Sequence, residues 1–498
     1  MYSLTICFIL PFSACKQETK EIKLEEKPPN IIWLMAEDIS LDLACYGMKA
    51  VKTPNLDQMA MDGIKYNNAY VTNPICSPSR SAMMVGVHQV KTNTHNHRSN
   101  RDVPLSKPYL PFTKLLRDAG YTTILGHHNV RGKGRKIDVN FKHEPLGEWN
   151  GKDKFGLFDK FDSINPANTP FFAQIQLNVT HRGDWWNEIR SQSKHPVNPD
   201  DVELPPYYAD HPTVRLDWAK YLDTMEYMDD EVGMLFQELE DKGLSENTVV
   251  IFIGDNGRCN IKGKGYLHDP GLRIPFLMKW PKGIKPNQVK NQVVSSTDIT
   301  ATILDLAGVA IPEYMTGMSV LSEDFNREEV YAARDLWDEI EERSRAITNG
   351  KWKYIRNDKP EIPWEAGQAY LEFYRPAIHI MRTLKKEGKL NAEQKQFFSD
   401  SKPKEELYNI QEDPFELVNL ADNVEQLAVL EEMRSKTLSY DTEMKPVSDI
   451  YNPVHASAVD LLEWVKIEKP NLYQDMLNGV EIGFQTLTKE KKQLNKTN

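Results

Sequence analysis

A cysteine and an arginine lie four residues apart in the segment from Pro74 to Gly86, and both side chains can act on an anion. The segment predicts a loop that turns into a helix, with Ser77 as the N-cap and Pro78 at the first helical position, where its missing N–H needs no partner. Cys76 would then lie at the helix N-terminus, where free backbone amides favour a negative charge. Arg80 would project from the same helix face. The pattern indicates a thiol held beside a cation, although a buried cysteine near a surface ion pair would show the same spacing.

Side chains with oxygen donors follow two apolar segments of strand length. These are residues 30–36, followed by Glu37 and Asp38, and residues 248–254, followed by Asp255 and Asn256. Continuous apolar strands are typical of a buried, mostly parallel sheet, and an α/β fold places its ligands at the carboxyl ends of such strands. Carboxylate and amide oxygens are the ligands that Ca²⁺ and Mg²⁺ prefer. Either pair alone fits a solvated loop, but the two together favour a metal site.

Histidines and cations are concentrated in two loops, which suits the binding of an anion. One loop ends in His97 and Arg98, and a glycine-rich stretch from 126 to 143 carries eight Lys, Arg or His against one Asp. Such runs are commonly solvated surface. Because this stretch directly follows a predicted strand at 121–125 and cannot form a regular helix, we expect it to face an anion.

Composition excludes some classes of protein. The chain has 498 residues and a formal net charge of −11, which argues against a nucleic-acid partner, because such proteins present a basic footprint. Beyond the N-terminus no apolar run is long enough to span a bilayer. Three cysteines remain when Cys7 and Cys15 are set aside, so at least one has no internal disulfide partner. A bridge between Cys45 and Cys259 is compatible with the sequence but not required by it.

The N-terminus has the pattern of a processing segment. An apolar run within residues 1–15 is followed by Ser-Ala and then Cys15, which resembles a bacterial lipoprotein signal with Cys15 as the lipidated residue. The alternative is a cleaved secretory peptide without lipid. Residues 16–28 are charged and predict a tether. We therefore expect an exported protein at the bacterial cell envelope, attached to the membrane through a lipid anchor only.

The order of predicted elements indicates an α/β fold. An amphipathic helix at 214–242 precedes the apolar strand at 248–254, and helix followed by buried strand is the repeating unit of a parallel sheet. From about residue 311, short strands with turn signals indicate antiparallel structure. We predict a large mixed, mostly parallel sheet flanked by helices and a small C-terminal antiparallel α+β subdomain. The predicted ranges are a catalytic domain at 29–310, the subdomain at 311–440, a helical insertion at 358–402 that packs on the core or forms an aromatic sugar-contact lid, and a helical extension at 441–498.

The pattern Cys76-x-Pro-Ser-Arg80, followed by a helix of small residues, resembles the signature of the formylglycine-dependent sulfatases of the alkaline phosphatase superfamily. The acidic strand ends, the phrase Gly-Lys-Trp-Lys-Tyr from residue 350 and the phrase Leu-Tyr-Asn…Asp-Pro from residue 407 extend the resemblance over roughly residues 28–420. In that family a maturation enzyme, formylglycine-generating or anaerobic sulfatase-maturating, oxidises the cysteine to formylglycine. The hydrate attacks sulfur, and loss of the second hydroxyl proton then releases sulfate and restores the aldehyde.

The resemblance also implies roles for individual residues. Arg80 would hold the formylglycine side chain, Lys264 would contact the sulfate, and His181 would protonate the leaving oxygen. A Ca²⁺ ion, or Mg²⁺, would lower the pKa of a hydrate oxygen and neutralise the sulfate. Its implied ligands are Glu37, Asp38, Cys76 as formylglycine, Asp255 and Asn256.

This chain departs from the family after the strand at 121–125. Many sulfatases have Gly-Lys-Trp-His there, whereas this chain has Gly-His-His-Asn. Lys136 is favoured as the second sulfate-binding lysine, with Lys133 in reserve, because Lys-Ile-Asp-Val-Asn-Phe resembles Lys-Thr-Asp-Tyr-Asn-Phe of one branch. The general base stays open among His127, His128 and His97. Substrate contacts are expected from His97, Arg98, His128 and His268. Glu37 stands where the family commonly has Asp.

Three functions fit these patterns. The first is a sulfatase acting on a sulfated glycan, with algal polymers such as ulvan favoured slightly over glycosaminoglycans. The second is a phosphodiester or phosphonate monoester hydrolase of the same superfamily. The third is an inactive glycan-binding surface lipoprotein, which the presence of Cys76, Arg80, Asp255 and Lys264 argues against.

Overall fold

The computed structural model describes residues 28–149, 156–446 and 456–497. The predicted signal segment and Cys15 therefore lie outside the described residues. The strands, numbered in chain order, are β1 Asn30–Ala36, β2 Ile64–Tyr70, β3 Thr122–Leu125, β4 Glu144–Leu146, β5 Gly156–Phe158, β6 Lys160–Phe161, β7 Phe171–Leu177, β8 Thr248–Gly254, β9 Arg273–Lys279, β10 Gln288–Ser295, β11 Val330–Trp337, β12 Ile340–Thr348, β13 Trp352–Asn357 and β14 Glu405–Asn409.

The helices lie mostly between these strands and in the C-terminal part of the chain. They are α1 Pro54–Met61, α2 Cys76–Val85, α3 Phe112–Asp118, α4 Trp185–Gln192, α5 Pro212–Asp241, α6 Asp269–Leu272, α7 Ser296–Leu306, α8 Ala369–Tyr374, α9 Pro376–Lys386, α10 Ala392–Gln396, α11 Leu427–Glu443, α12 Ser457–Glu468, α13 Pro470–Leu477 and α14 Phe484–Thr497. Among the described residues, no helix is long and apolar enough to cross a membrane.

The large sheet has the order β10-β2-β9-β8-β1-β7-β3-β6. Strand β9 runs antiparallel to both neighbours, and the other pairings in the sheet are parallel. Ala36 pairs with Leu177 on one side and with Gly254 on the other. Because these three parallel strands end at one level, the residues that follow β1, β7 and β8 meet at one edge of the sheet.

Separate apolar layers cover the two faces of this sheet. Alternate residues of β1 point to opposite faces, so Ile32 and Leu34 pack with the long helix α5 while Ile31 and Trp33 pack with residues of α2, α3 and α7. All seven residues of β1 are buried. Each fully buried large apolar side chain stabilises the fold by roughly 1.5–3 kcal/mol, so this double layer holds the strand ends in place.

Strands β11 to β14 form a second, antiparallel sheet, against which α11 packs. This sheet and the mixed sheet together confirm the predicted fold class. Residues 358–402 contain the short helices α8, α9 and α10. The C-terminal helices are joined to the large domain through Glu481, whose carboxylate lies 2.5 Å from Arg182 and 3.1 Å from Lys220.

One local prediction is wrong, and one disulfide that the sequence left open is not formed. Helix α2 begins at Cys76, with Ile75 rather than Ser77 as the N-cap, and Pro78 is its third residue. The N–H groups of the first helical turn have no acceptor within the helix, so proline is tolerated at any position of that turn. Its presence therefore does not identify the first helical residue. The described cysteines Cys45, Cys76 and Cys259 are all free thiols, so the Cys45–Cys259 bridge is not formed. Cys45 packs against the α5 layer, whereas Cys259 lies in a separate cluster with Ile75.

Candidate active site

The side chains that follow β1 and β8 form the floor of a buried polar cluster. The Asp38 N–H donates to Asp255 Oδ1 at 3.0 Å, and Asn256 Nδ2 donates to Asp38 Oδ1 at 2.9 Å. Asp38, Asp255 and Asn256 have no exposed surface, and Glu37 is 1% exposed. Asp38 adopts a positive φ of 50°, which turns the chain sharply at the strand end. The two predicted acid pairs are therefore brought together by the parallel pairing of β1 with β8.

Helix α2 places Cys76 and Arg80 over this floor. Arg80 Nε donates to Asp255 Oδ2 at 2.9 Å, and Arg80 Nη2 lies 2.8 Å from the same oxygen and 3.9 Å from Glu37 Oε1. Burial disfavours the charged guanidinium, but Asp255 and Glu37 outweigh that cost and raise the pKa of Arg80. For the Cys76 thiol, burial raises the pKa, although Lys264 and Lys136 oppose the shift. The unmodified cysteine is therefore a protonated thiol rather than a nucleophilic thiolate.

Two lysines reach the cluster from loops at the same sheet edge. Lys264 Nζ donates to Asp38 Oδ1 at 2.6 Å, and Lys136 Nζ donates to Glu37 Oε2 at 2.5 Å. Burial alone would raise the pKa of Asp38, but Lys264 and His181 lower it to about 2. Lys133, the reserve candidate, is exposed. The structure therefore places Lys136 and Lys264 near Cys76.

His181 follows β7 and enters the cluster from a third strand end. Its Nε2 lies 3.8 Å from Glu37 Oε2, and its Nδ1 lies 3.0 Å from the carbonyl oxygen of Arg182. Burial lowers the pKa of His181 to about 3, with further lowering by Lys264 and Lys136. The ring is therefore neutral, with Nδ1–H donating to the carbonyl and a lone pair on Nε2. The ring lies 6.3 Å from Trp185 and 6.5 Å from Tyr370, measured between centroids.

His127 and His128 point elsewhere. Their Nε2 atoms lie 3.1 and 3.3 Å from Glu238 Oε2 on α5, and His128 Nδ1 lies 3.3 Å from Asp162 Oδ1. The His127 N–H donates to the Lys133 carbonyl, and this tight turn directs both rings toward α5. The structure therefore does not bring these two histidines to Cys76, so it gives no support to His127 as the base or to His128 as a substrate contact.

The other predicted substrate contacts lie in three different places relative to the cluster. Arg98 donates to Asp138 at 3.0 and 3.3 Å, and Asp138 lies 3.8 Å from Lys136, so Arg98 borders the cluster. His97 is bound to Asp338, which belongs to the small sheet. His268 is 2% exposed and lies 3.3 Å from Glu406. Because His268 is enclosed within that subdomain, the structure does not bring it to the cluster.

Sequence reasoning missed two carboxylates near this cluster. Asp138 pairs with Arg98 and Lys136, and it lies inside the Lys-Ile-Asp motif that singled out Lys136, so the motif itself was a signal. Asp338 lies in the turn between β11 and β12, and no local pattern distinguishes it from other acidic turn residues. Its place depends on how the small sheet docks on the large domain.

The donor set at the strand ends fits a divalent metal ion. Asp38 Oδ2 and Asn256 Oδ1 are buried and have no hydrogen-bond partner among the described residues, which is costly unless a ligand satisfies them. The surrounding donors are carboxylate and amide oxygens, as Ca²⁺ and Mg²⁺ prefer. The separate group of His127, His128 and Glu238 could also hold an ion, but its two nitrogen ligands suit transition metals rather than Ca²⁺.

Comparison with known proteins identifies the family to which this chain belongs. The family described as Sulfatase matches residues 29–309, and the family described as N-sulphoglucosamine sulphohydrolase, C-terminal, matches residues 257–365. The chain therefore belongs to the sulfatase family, whose members are sulfuric ester hydrolases, and this confirms the resemblance and the enzyme class inferred from the sequence.

Relatives match along most of the chain. An ulvan-active sulfatase of Formosa agariphila is 31% identical over 485 residues, which cover 88% of this chain and 80% of that protein. Human N-sulphoglucosamine sulphohydrolase is 25% identical over 476 residues, covering 84% of this chain and 90% of that protein. A solved structure in complex with its substrate D-glucosamine-2-N,6-O-disulfate has a TM-score of 0.56 at 17% identity, covering 84% of this chain and 98% of that one. At this identity the structural likeness shows the fold alone.

Proposed function

We propose that this sulfatase hydrolyses sulfate esters of a sulfated polysaccharide or its oligosaccharides, with formylglycine formed from Cys76 as the nucleophile. The observation that carries the proposal is the meeting of Cys76 with Lys136 and Lys264 above three buried carboxylates. The names of the relatives, an ulvan-active sulfatase and a sulphoglucosamine sulphohydrolase, support a sulfated glycan as substrate. Because the ulvan-active relative has the higher identity, we favour an algal glycan of the ulvan type over a glycosaminoglycan.

The cationic residues of the cluster have separate roles in the proposed reaction. Lys136 and Lys264 are placed to bind the sulfate anion, and Arg80 is held by Asp255 beside the side chain at position 76. One hydroxyl oxygen of the formylglycine hydrate attacks sulfur, and the S–O bond to the sugar breaks with its electron pair on the sugar oxygen. Loss of the second hydroxyl proton then breaks the bond between carbon and the sulfate oxygen, so sulfate leaves and the aldehyde returns.

His181 is the proposed proton donor to the sugar oxygen. In the structure its Nε2 carries a lone pair because burial and two lysines keep the ring neutral. A bound sulfate would place negative charge near the ring and raise its pKa, so protonation of Nε2 would accompany substrate binding. The role of His181 is therefore linked to the presence of substrate.

A calcium ion is the proposed cofactor, with Mg²⁺ as an alternative. Glu37, Asp38, Asp255 and Asn256 would hold it, together with the side chain at position 76. When bound, the ion supplies positive charge that makes the hydrate more acidic and offsets the charge of the sulfate. The two unpartnered oxygens of Asp38 and Asn256 support this proposal.

The nucleophile can be tested directly. The protein is produced with and without a sulfatase-maturation enzyme, and the peptide that contains Cys76 is analysed by mass spectrometry alongside turnover of sulfated oligosaccharides. We expect turnover to scale with the fraction of peptide that shows the mass loss of thiol-to-aldehyde conversion, and Cys76→Ala to be inactive. Full activity of the unmodified protein would refute the mechanism. A matched pair of aryl sulfate and aryl phosphate separates a sulfatase from a phosphoester hydrolase.

We also propose that the protein is exported and lipidated at Cys15. The support is the Ser-Ala-Cys pattern after an apolar run. Mass spectrometry of the mature N-terminus is the test: a diacylated Cys15 is expected, and a cleaved terminus without lipid would refute the anchor while leaving export intact.

A further inference from the structure

A carboxylate that the proposed mechanism does not use faces the catalytic cluster from the small sheet. Asp338 lies in the turn between β11 and β12, with a φ of 51°. Its Oδ1 lies 2.9 Å from His97 Nδ1, and its Oδ2 accepts a hydrogen bond from Gln368 Nε2 at 2.7 Å. The Asp338 side chain is 23% exposed, so the carboxylate is still open to a ligand.

The packing of Trp337 fixes this carboxylate beside the catalytic residues. A Cβ atom on Gly265 would lie 1.9 Å from the Trp337 ring, so the ring rests directly on the backbone next to Lys264. Trp337 also clusters with Ile75, the residue before Cys76. Burial raises the pKa of Asp338, but His97, Arg98 and Lys264 outweigh it, so the pKa lies below its ordinary value and the group is ionised.

The ring of His97 gives an independent indication of a ligand-binding position. The residue is 4% exposed, and its Nε2 has no hydrogen-bond partner among the described residues. Because Nδ1–H of the neutral ring donates a hydrogen bond to the Asp338 carboxylate, Nε2 presents a lone pair. A buried acceptor without a donor is costly, and a hydroxyl group of a ligand would satisfy it.

We propose that Asp338, held in place by Gln368, acts together with His97 to bind hydroxyl groups of the sugar that carries the scissile sulfate. The inference rests on the proposed function as a glycan sulfatase and narrows its substrate class. Carboxylate and imidazole acceptors suit O–H donors, whereas a second sulfate would meet the negative charge of Asp338 at short range. The preferred substrate therefore has a free hydroxyl next to the sulfate ester, and a sugar sulfated at both neighbouring positions is rejected.

The test uses three substrates and two matched variants of the formylglycine-containing enzyme. The substrates are a sugar monosulfate with a free neighbouring hydroxyl, the corresponding vicinal disulfate, and an aryl sulfate without a sugar. Asp338→Asn keeps the shape of the side chain and removes its charge. Glu341→Gln removes an exposed carboxylate three residues along the same hairpin and is the control.

For Asp338→Asn we expect kcat/KM on the sugar monosulfate to fall by about tenfold or more, mainly through KM, since a hydrogen bond to a charged group is lost. Turnover of the vicinal disulfate relative to the monosulfate should rise. Turnover of the aryl sulfate should stay within about twofold of the wild type, and Glu341→Gln should match the wild type on all three substrates.

Several results would overturn the inference. The first is that Asp338→Asn loses activity equally on all three substrates relative to the wild type, and the second is that it loses activity on none of them. The third is that the wild type prefers the vicinal disulfate to the monosulfate. If Asp338→Asn does not fold, Asp338→Gly replaces it, because glycine accepts the positive φ. A wild-type enzyme with verified formylglycine that turns over none of the substrates would instead refute the proposed function on which the inference rests.

Discussion

Asp255 serves two neighbours with one carboxylate. One oxygen accepts the N–H of Asp38, which fixes the chain after β1, and the other accepts the Arg80 side chain from α2. Burial raises the pKa of Asp255, while Arg80 opposes that shift. A single buried acid thus ties a strand end to the helix that carries the proposed nucleophile, and removal of the Arg80 side chain would leave the charge of Asp255 uncompensated.

Lys136 offers a test of anion binding, because its side chain is 24% exposed and its Nζ is held at 2.5 Å from Glu37 within the cluster. We expect Lys136→Met to lower kcat/KM by about a hundredfold, the usual effect of removing one donor from a charge-stabilising site. Lys133→Met is the control, since that lysine is exposed and three residues away. Steady-state kinetics on an aryl sulfate decide the matter, and equal effects of the two substitutions would contradict the assignment.

At the scale of elements, helix α5 buries an acid that makes stability depend on pH. Glu231 is 1% exposed, its Oε1 accepts the Arg131 N–H at 2.5 Å, and its Oε2 has no partner among the described residues. Burial raises the pKa of Glu231 to about 7. In the unfolded chain the group loses its proton near its ordinary pKa, so the folded state loses stability as the pH rises from that value to about 7.

Glu231→Gln should therefore stabilise the protein at pH 8 relative to the wild type, by about 3 kcal/mol at most, and have little effect at pH 4. Thermal unfolding of both proteins across this pH range is the measurement. Glu188→Gln serves as the control, because Glu188 is 51% exposed and also contacts Arg131. Parallel pH profiles for wild type and Glu231→Gln would show that Glu231 does not titrate in this range.

The loop after β8 depends on a glycine at one position. Gly265 has a φ of 91°, and any side chain there would overlap Trp337. Gly47 has a φ of 101°, and a Cβ atom at that position would have no neighbour within 4 Å, so Gly47→Ala measures the cost of the backbone alone, about 1–2 kcal/mol. We expect Gly265→Ala to cost about 1–3 kcal/mol more and to lower activity by displacing Lys264, as judged by thermal unfolding and kinetics. Equal costs would contradict the packing of Trp337.

Much of the large sheet and its acidic strand ends could be predicted from the sequence, because a strand buried on both faces consists of a continuous run of apolar residues. The bounds of β1 and β8 match the predicted runs at 30–36 and 248–254. Strand β10 was missed because its first five residues are mostly polar and lie at the sheet edge, where none of them is fully buried. The direction of His127 and the approach of Asp338 depend on a loop turn and on subdomain docking, which no local pattern records.

At the scale of the whole molecule, two groups among the described residues could hold a cation, and experiment can distinguish them. The oxygen donors at the strand ends should bind Ca²⁺, whereas the group of His127, His128 and Glu238 should not. We expect Ca²⁺ at a hundred times its Kd to stabilise the wild type by about 2.7 kcal/mol. Glu37→Gln should reduce this effect and Glu238→Gln should not, as measured by thermal unfolding with and without chelator. If Glu238→Gln instead abolished the stabilisation by Ca²⁺, the ion would bind at Glu238 on α5 and not at the strand ends.

The burial of Cys76 bears on whether its proposed modification comes before or after folding. Only 2% of the residue is exposed, so a second enzyme cannot reach the thiol once α2 has docked on the strand ends. The conversion to formylglycine proposed for Cys76 would therefore have to come before this helix docks, and we expect it to compete with folding in each new chain. Under this proposal a chain that folds first would keep its thiol, so we expect the yield of active enzyme to depend on the timing of oxidation relative to folding.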